Sequence, residues 1–445
     1  MTTTDTKPSF GREVLVSIGF TVVMTVLATG NSVVIARLSG PEGRGLYALL
    51  VAILAVGRPF ATAGLISAVT YVLGRGHPRS SVVSLVLMWV GGWVVLGAAG
   101  AGLLHVLNPF SSNTPIAMVV LASVLSAAPS IAIDLGSAVY LGARRVVAYN
   151  LVQACHVTLL VVLNLVALSY GTYWVLINYV IAASLVAIVV LAGLLRWTYP
   201  LSRPTPELRS TAFRYGRAAA LAELGDVALL RLDYVVMIPF LAMDVIGLYA
   251  VADNITHVLA WGALIAGRMM FMQSAHDEDG AASRRRLGIV VRLLIPGNLI
   301  LAGIAALVGP WLLPGLFGAP FAAAYAGMLI LLPATLLKSL VAMFSTYLSG
   351  QNDLKPVVRA SLVSVAVDVV LVVTLVPAIG WHGAAIAKAF AYGVQCFVVA
   401  RAYTKRLPAG ETMGWILTGD DVRFMVNWFR SLMRKFRPSP DSSNP

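Results

Sequence analysis

Six cations stand inside long apolar runs: Arg58, Arg231, Arg268, Arg292, Lys338 and Lys388. So do the acids Asp134, Glu223, Asp226, Asp233, Asp253 and Asp368. In a segment solvated by lipid, a charge near the helix centre costs at least about 2.5–3.5 kcal/mol. Such residues persist because they bind something charged or because they pair with one another. Arginine in a water-filled cavity suits a polyanion, since its planar fork meets phosphate oxygens two at a time. Arg58 lies near the middle of its run beside Pro59, a residue that kinks a helix and frees a carbonyl. Arg268 and Arg292 lie nearer the run ends, where snorkelling is explanation enough.

The acids make their own pattern. At 100° per residue, Glu223, Asp226 and Asp233 fall within about 80° of arc, and Arg231 points elsewhere. An acidic stripe about 15 Å long suits H⁺ or Na⁺ and suits equally a set of partners for cations on neighbouring helices. In the next segment Asp253, His257, Trp261 and Arg268 share one face, which adds Asp253 and His257 to the ion-coupling candidates. Arg231 and Asp253 sit at similar depth on either side of a short turn and are placed to pair. Asp368 and Lys388 flank another turn and are level within a few ångströms at about 1.5 Å per residue. The spacing therefore predicts a structural ion pair between them. The 6 histidines show no HExxH pattern, and the 2 cysteines, Cys155 and Cys396, fall in apolar runs without metal-ligand spacing. No metal and no cofactor is expected.

The elements that must position these charges are transmembrane helices. The chain has 445 residues, 59% hydrophobic and only 11% charged, against about 25% charged in a soluble protein, and its mean hydropathy is +0.85. Runs long enough to span a bilayer lie near 14–36, 45–73, 81–107, 115–142, 146–170 and 172–196, and again near 211–238, 246–273, 287–316, 322–350, 356–377 and 380–403. The first is too long for a signal-peptide core and reads as a retained helix. The expected class is an all-α integral membrane protein of twelve helices. It would have an N-terminal lobe (1–196), a cytoplasmic linker (197–210), a C-terminal lobe (211–403) and a cytoplasmic tail (404–445). Within the tail, 421–436 carries apolar residues at helical spacing with Arg423, Arg430, Arg434 and Lys435 off the stripe, the pattern of an interfacial amphipathic helix on an anionic leaflet.

Most of the 32 Lys and Arg fall in alternate loops and the termini, which places both termini in the cytoplasm. That distribution also takes the net charge of +13 away from a nucleic-acid partner. The outward loops are short and nearly uncharged, with no carboxylate or histidine set for acid–base work. A membrane enzyme acting on the outer face is thereby disfavoured, and transport takes its place.

One phrase occurs twice: Arg37–Ala48 (RLSGPEGRGLYA) and Pro239–Ala250 (PFLAMDVIGLYA) each close an apolar run and open the next with Gly-Leu-Tyr-Ala. The repeat at half-length predicts two pseudo-symmetric six-helix lobes related by an axis along the membrane normal. The glycines read as sites of turning and close approach, Tyr47 and Tyr249 as interface-belt residues, and Arg44 as a residue of the outward mouth.

Four stretches carry a family resemblance: LSGPEGRGLY (38–47), LGARRVVAYN (141–150), LDYVVMIPFLAMDVIGLYA (232–250) and LVPAIGWHGAAIAKAFAY (375–392). Together the chain resembles the polysaccharide and oligosaccharide-lipid flippase branch of the multidrug/oligosaccharidyl-lipid/polysaccharide (MOP) exporter superfamily. Asp368 stands where that family usually has Asn, and Lys388 where a small or hydroxyl residue is common. The resemblance implies two lobes around a central cavity that alternate between inward- and outward-open forms. It implies outward movement of a polyprenyl-diphosphate-linked oligosaccharide, coupled to H⁺ or Na⁺, in the cytoplasmic membrane alongside a polysaccharide polymerase and glycosyltransferases. Arg58, Arg231, Lys338 and Arg268 are then the diphosphate candidates. Three alternatives stay open: a multidrug/cation antiporter, a lipid II flippase (a group that usually has two further helices), and a non-transporting scaffold of a glycan-synthesis complex.

Overall fold

The structure is a computed structural model and describes residues 10–107, 115–260, 281–351 and 353–408. The described residues form twelve α-helices and no strand: α1 (Phe10–Thr62), α2 (Leu65–Gly74), α3 (Arg79–Leu107), α4 (Pro115–Gly142), α5 (Val146–Ala167), α6 (Trp174–Thr198), α7 (Pro206–Val236), α8 (Met243–Leu259), α9 (Ala281–Phe317), α10 (Ala324–Gly350), α11 (Lys355–Ile379) and α12 (Trp381–Thr404). Short 3-10 turns occupy Leu168–Tyr170 and Ala319–Ala323. Trp261, Arg268 and the expected amphipathic helix at 421–436 lie outside the described residues.

Nine of these helices are long and apolar enough to cross a membrane. The sequence reading has twelve spans, and particular helices account for the difference. The 53 residues of α1 are two helices joined at a kink, together enough at about 1.5 Å per residue for two crossings of a bilayer core of roughly 30 Å. α1 holds the first expected pass and most of the second, which α2 completes, and its two parts meet at Gly40 (φ 65, ψ −166), so the repeated phrase at 37–48 is helical apart from that one residue. α7 carries too many charges to register as apolar, and α8 is described for only 17 residues. α7 also shows a legible start: Pro206 occupies its first turn, and Thr205 Oγ1 accepts from Leu208 N at 3.2 Å. Large apolar side chains such as Val95, Leu96 and Leu103 on α3 and Ile188 and Val189 on α6 are exposed. Backbone amides satisfied inside each helix and a greasy outer surface are what lipid requires of a spanning chain.

Packing divides the chain into two compact units. The first comprises residues up to Asn254 with Pro310–Met328 and Val365–Lys388. One core of this unit joins Val69 and Val72 of α2, Val82 and Val86 of α3, Leu135 and Val139 of α4, and Val186 and Val190 of α6. A buried asparagine chain ties α1, α5 and α6: Asn178 Nδ2 donates to Asn164 Oδ1 at 2.9 Å, and Asn164 Nδ2 to Asn31 Oδ1 at 2.8 Å. In the same unit the two copies of Gly-Leu-Tyr-Ala meet. A Cβ on Gly45 would overlap the Met243 carbonyl oxygen, and one on Gly247 would overlap that of Pro41. Each glycine is thus the seat for the other copy's backbone, a closeness only glycine allows. Tyr249 is fully buried, so it is a packing residue and not part of an interface belt.

The second unit comprises Ile255–Gly309, Leu329–Ser364 and the chain from Ala389. Leu287 and Val291 of α9, Met343, Phe344 and Leu348 of α10, and Val399 and Tyr403 of α12 form its core. There the Tyr403 ring meets those of Phe344 and Tyr347, each at 5.3 Å.

Candidate functional site

Two clusters of ion-paired side chains lie within the first unit. One is at the end of α1. Pro59 lies in its last turn, and the helix breaks at Ala63 (φ 48) and Gly64 (φ 70) before α2 begins. A Cβ on Gly64 would overlap the Gly216 carbonyl oxygen of α7, so the break is seated directly on that helix. The terminal carbonyls of a helix need donors from elsewhere. Trp89 and Trp93, one turn apart on α3, supply them: both indole N–H groups donate to Ala61 O, at 2.9 and 2.8 Å.

One turn before the break, Arg58 reaches Glu223 of α7, with Nε at 3.0 Å and Nη2 at 2.5 Å from Oε1. Its Nη1 lies 3.8 Å from Asp134 Oδ2 of α4. The guanidinium side chain keeps 41% of its surface exposed. It faces a cavity of about 520 Å³ whose wall also includes Trp93, Asp134, Gln153, His156 and Tyr179. Gln153 and His156 are one turn apart on α5. Gln153 Nε2 donates to Ser137 Oγ at 3.2 Å, and the His156 and Tyr179 rings meet edge to face at 5.6 Å. His156 Nε2 is buried without a hydrogen-bond partner.

The second gathering surrounds Lys388. Its ammonium donates to Asp253 Oδ1 at 3.0 Å, pairs with Asp233 Oδ2 at 2.9 Å and reaches Leu230 O at 3.4 Å. Tyr234 OH donates to Asp253 Oδ2 at 2.8 Å, and Tyr249 OH to Asp233 Oδ2. The two rings stand 5.2 Å apart, with the ammonium 5.5 and 5.4 Å from their centroids. Asp233, Asp253, Lys388, Tyr234 and Tyr249 are all at most 1% exposed. Arg231 Nη1 stands 4.0 Å from Asp253 Oδ2, joining the two as their shared depth suggests.

The predicted Asp368–Lys388 ion pair is corrected by this geometry. An ammonium has three protons, and here Asp233, Asp253 and the Leu230 carbonyl engage it. Asp368 is itself buried and within electrostatic reach of Lys388, but its Oδ1 has no hydrogen-bond partner. Helical rise sets depth alone, and the side chain turned to a third and fourth helix at the same level. The acidic stripe of α7 is also dispersed. Glu223 goes to Arg58, Asp233 goes to Lys388 and Tyr249, and Asp226 is exposed. In the second unit Lys338 and His257 meet each other, with the ammonium 3.4 Å from both ring nitrogens and 5.8 Å from the Tyr392 centroid. Arg44 is buried, 5.8 Å from the Tyr47 ring centroid, and does not line a mouth.

Sequence reasoning passed over Trp93, Gln153, His156 and Tyr179. The available signal was polar residues one helical turn apart in otherwise apolar runs. Among the described residues no group of three His, Cys, Asp or Glu is placed to hold a metal ion.

Comparison with solved structures finds the same architecture in membrane transporters. The chain matches the lipid II flippase MurJ in its inward closed conformation with a TM-score of 0.69, at 13% identity over 97% of this chain and 94% of that one. It matches the inward-facing conformation of a multidrug resistance MATE family transporter of the MOP superfamily with a TM-score of 0.66, at 14% identity over 86% and 94%. A MOP superfamily transporter from Pyrococcus furiosus, reported with a binding pocket of reverse polarity, matches with a TM-score of 0.56, at 13% identity over 88% and 93%. These identities carry the fold alone. Among curated proteins none matches the sequence. The profile of the family described as polysaccharide biosynthesis protein matches residues 34–266, over half the chain and the stretch that holds Arg58, Asp134, Glu223, Asp233 and Asp253. The chain is a multi-pass, all-α membrane protein with the fold of MOP superfamily transporters, and it belongs to the polysaccharide biosynthesis protein family.

Proposed function

We propose that the protein translocates a polyprenyl-diphosphate-linked oligosaccharide from the cytoplasmic to the outer leaflet of the cytoplasmic membrane. Two lobes, 1–196 and 211–403, joined by the linker 197–210, would alternate access around the substrate, with both termini in the cytoplasm. The observation that carries this reading is Arg58: an arginine within an apolar run, substantially exposed, at the wall of a cavity. Its fork is already occupied by Glu223 and approached by Asp134. A ligand must therefore outcompete two carboxylates to win it. A diphosphate, with several oxygens and more than one negative charge, meets that requirement, and a monoanion does not. The carboxylates thus act as a selectivity filter built from competition. Release of Glu223 frees an acid on α7 to take up H⁺ or Na⁺, which links substrate binding to an ion gradient. Outward movement of an anion from a negative-inside cell also runs with the field, by about 2.3 kcal/mol per charge per 100 mV.

Reconstituted full-length protein should move a fluorescent polyprenyl-diphosphate glycan between leaflets, and Arg58→Ala should slow it by at least about tenfold, the loss of one charge-assisted contact. Equal rates in the two proteins would remove the anion site. A second reading, cation antiport, has one observation in its favour: two carboxylates face a single guanidinium. Uptake of a cationic dye that exceeds glycan translocation and survives Arg58→Ala would select it.

A further inference from the structure

The cavity holds more recognition chemistry than a diphosphate uses. Its volume of about 520 Å³ falls in the range of roughly 300–1,000 Å³ that seats one small ligand, ample for a pyranose. Trp93 has its single polar atom committed to Ala61 O, so it offers the cavity carbon surface alone. Asp134 stands 3.8 Å from Arg58, beyond hydrogen-bond range, so its oxygens keep acceptor capacity. Gln153 spends its amide nitrogen on Ser137 and keeps its carbonyl oxygen. His156 brings a buried, unpartnered ring nitrogen, and burial without a partner is costly for such a group. An indole surface beside a carboxylate, an amide and an imidazole is the donor, acceptor and apolar set that a pyranose presents in complement. Its hydroxyls both give and accept, and its C–H face packs on an aromatic ring.

We propose that this cavity is a sugar subsite for the residue adjoining the diphosphate, with Arg58 on the phosphate side and Trp93, Asp134, Gln153 and His156 around the ring. The proposal rests on the translocation reading above. It specifies an uncharged sugar, because Asp134 and Glu223 repel a carboxylate-bearing one.

Three probes test it on the detergent-purified full-length chain by calorimetry: farnesyl diphosphate, the same lipid carrying N-acetylglucosamine, and the same lipid carrying glucuronic acid. The N-acetylglucosamine probe should bind at least about tenfold tighter than the bare diphosphate, as two added hydrogen bonds imply. Glucuronic acid should bring no gain. His156→Ala and Gln153→Leu should each draw the ratio of the first two affinities toward one, and His156→Gln should retain more of it. A wild-type ratio of one, or a ratio unmoved in both variants, overturns the subsite, and a full gain with glucuronic acid overturns its preference for uncharged sugars. Because the wild-type ratio is itself decisive, a variant that misfolds does not shelter the idea. If Arg58→Ala weakens bare diphosphate binding while the ratio is one, only the sugar subsite falls. If Arg58→Ala weakens neither ligand, the translocation reading falls with it.

Discussion

An ammonium buried at Lys388 sits between two carboxylates, and each carboxylate takes a tyrosine hydroxyl as well. Removing one member of such a set leaves the others charged and unsolvated, which costs about 3–5 kcal/mol, whereas replacing the whole set by neutral residues costs far less. Lys388→Met should therefore destabilise the protein by that amount, read as a fall in melting temperature in detergent. Adding Asp233→Asn and Asp253→Asn to it should recover most of the loss. The exchange Asp368→Lys with Lys388→Asp should recover nothing, since Asp368 is not the partner. Recovery by that exchange would refute the assignment. The partner was hidden because a sequence gives the height of a residue along a helix but not the azimuth of its neighbours. Arg231 and Asp253 were legible from depth because one short turn joins their helices. Lys388 was not, because its partners come from helices distant in sequence.

At the scale of elements, the break between α1 and α2 does most to shape the cavity. Pro59 announces a kink, but nothing local announces that two indoles from α3 converge on Ala61 O. A carbonyl has two acceptor positions and needs only one to be filled. Trp89→Phe and Trp93→Phe should each cost little, within about 0.5 kcal/mol beyond the lost ring nitrogen. The double variant should cost about 1 kcal/mol or more, the penalty of a half-buried carbonyl left without a donor. Thermal unfolding of the three proteins checks this, and simple additivity would count against the shared acceptor. The helices themselves were readable because lipid demands about 20 apolar residues per span. α7 escapes that criterion for the reason that makes it interesting: its charges are bonded to α1, α8 and α12 and so tolerate the membrane.

Across the whole molecule, composition and the repeated phrase predict a two-lobe transporter, and the fold is one shared with MOP superfamily transporters. The cavity's chemistry was the part left unread, since Asp134, Gln153, His156 and Tyr179 come from three helices and only folding assembles them. The meeting of Gly45 with Gly247 has a consequence of another kind. Each copy of the phrase offers the same surface that it receives, which is how two identical subunits join across a twofold axis. The chain thus keeps, within one polypeptide, the contact of a homodimer. Two separate polypeptides cut within 197–210 should accordingly reassemble when produced together, and Gly45→Leu or Gly247→Leu should abolish co-purification of the pieces to a similar degree. Reassembly indifferent to both substitutions would mean that the covalent link, and not this self-complementary crossing, holds the repeats together.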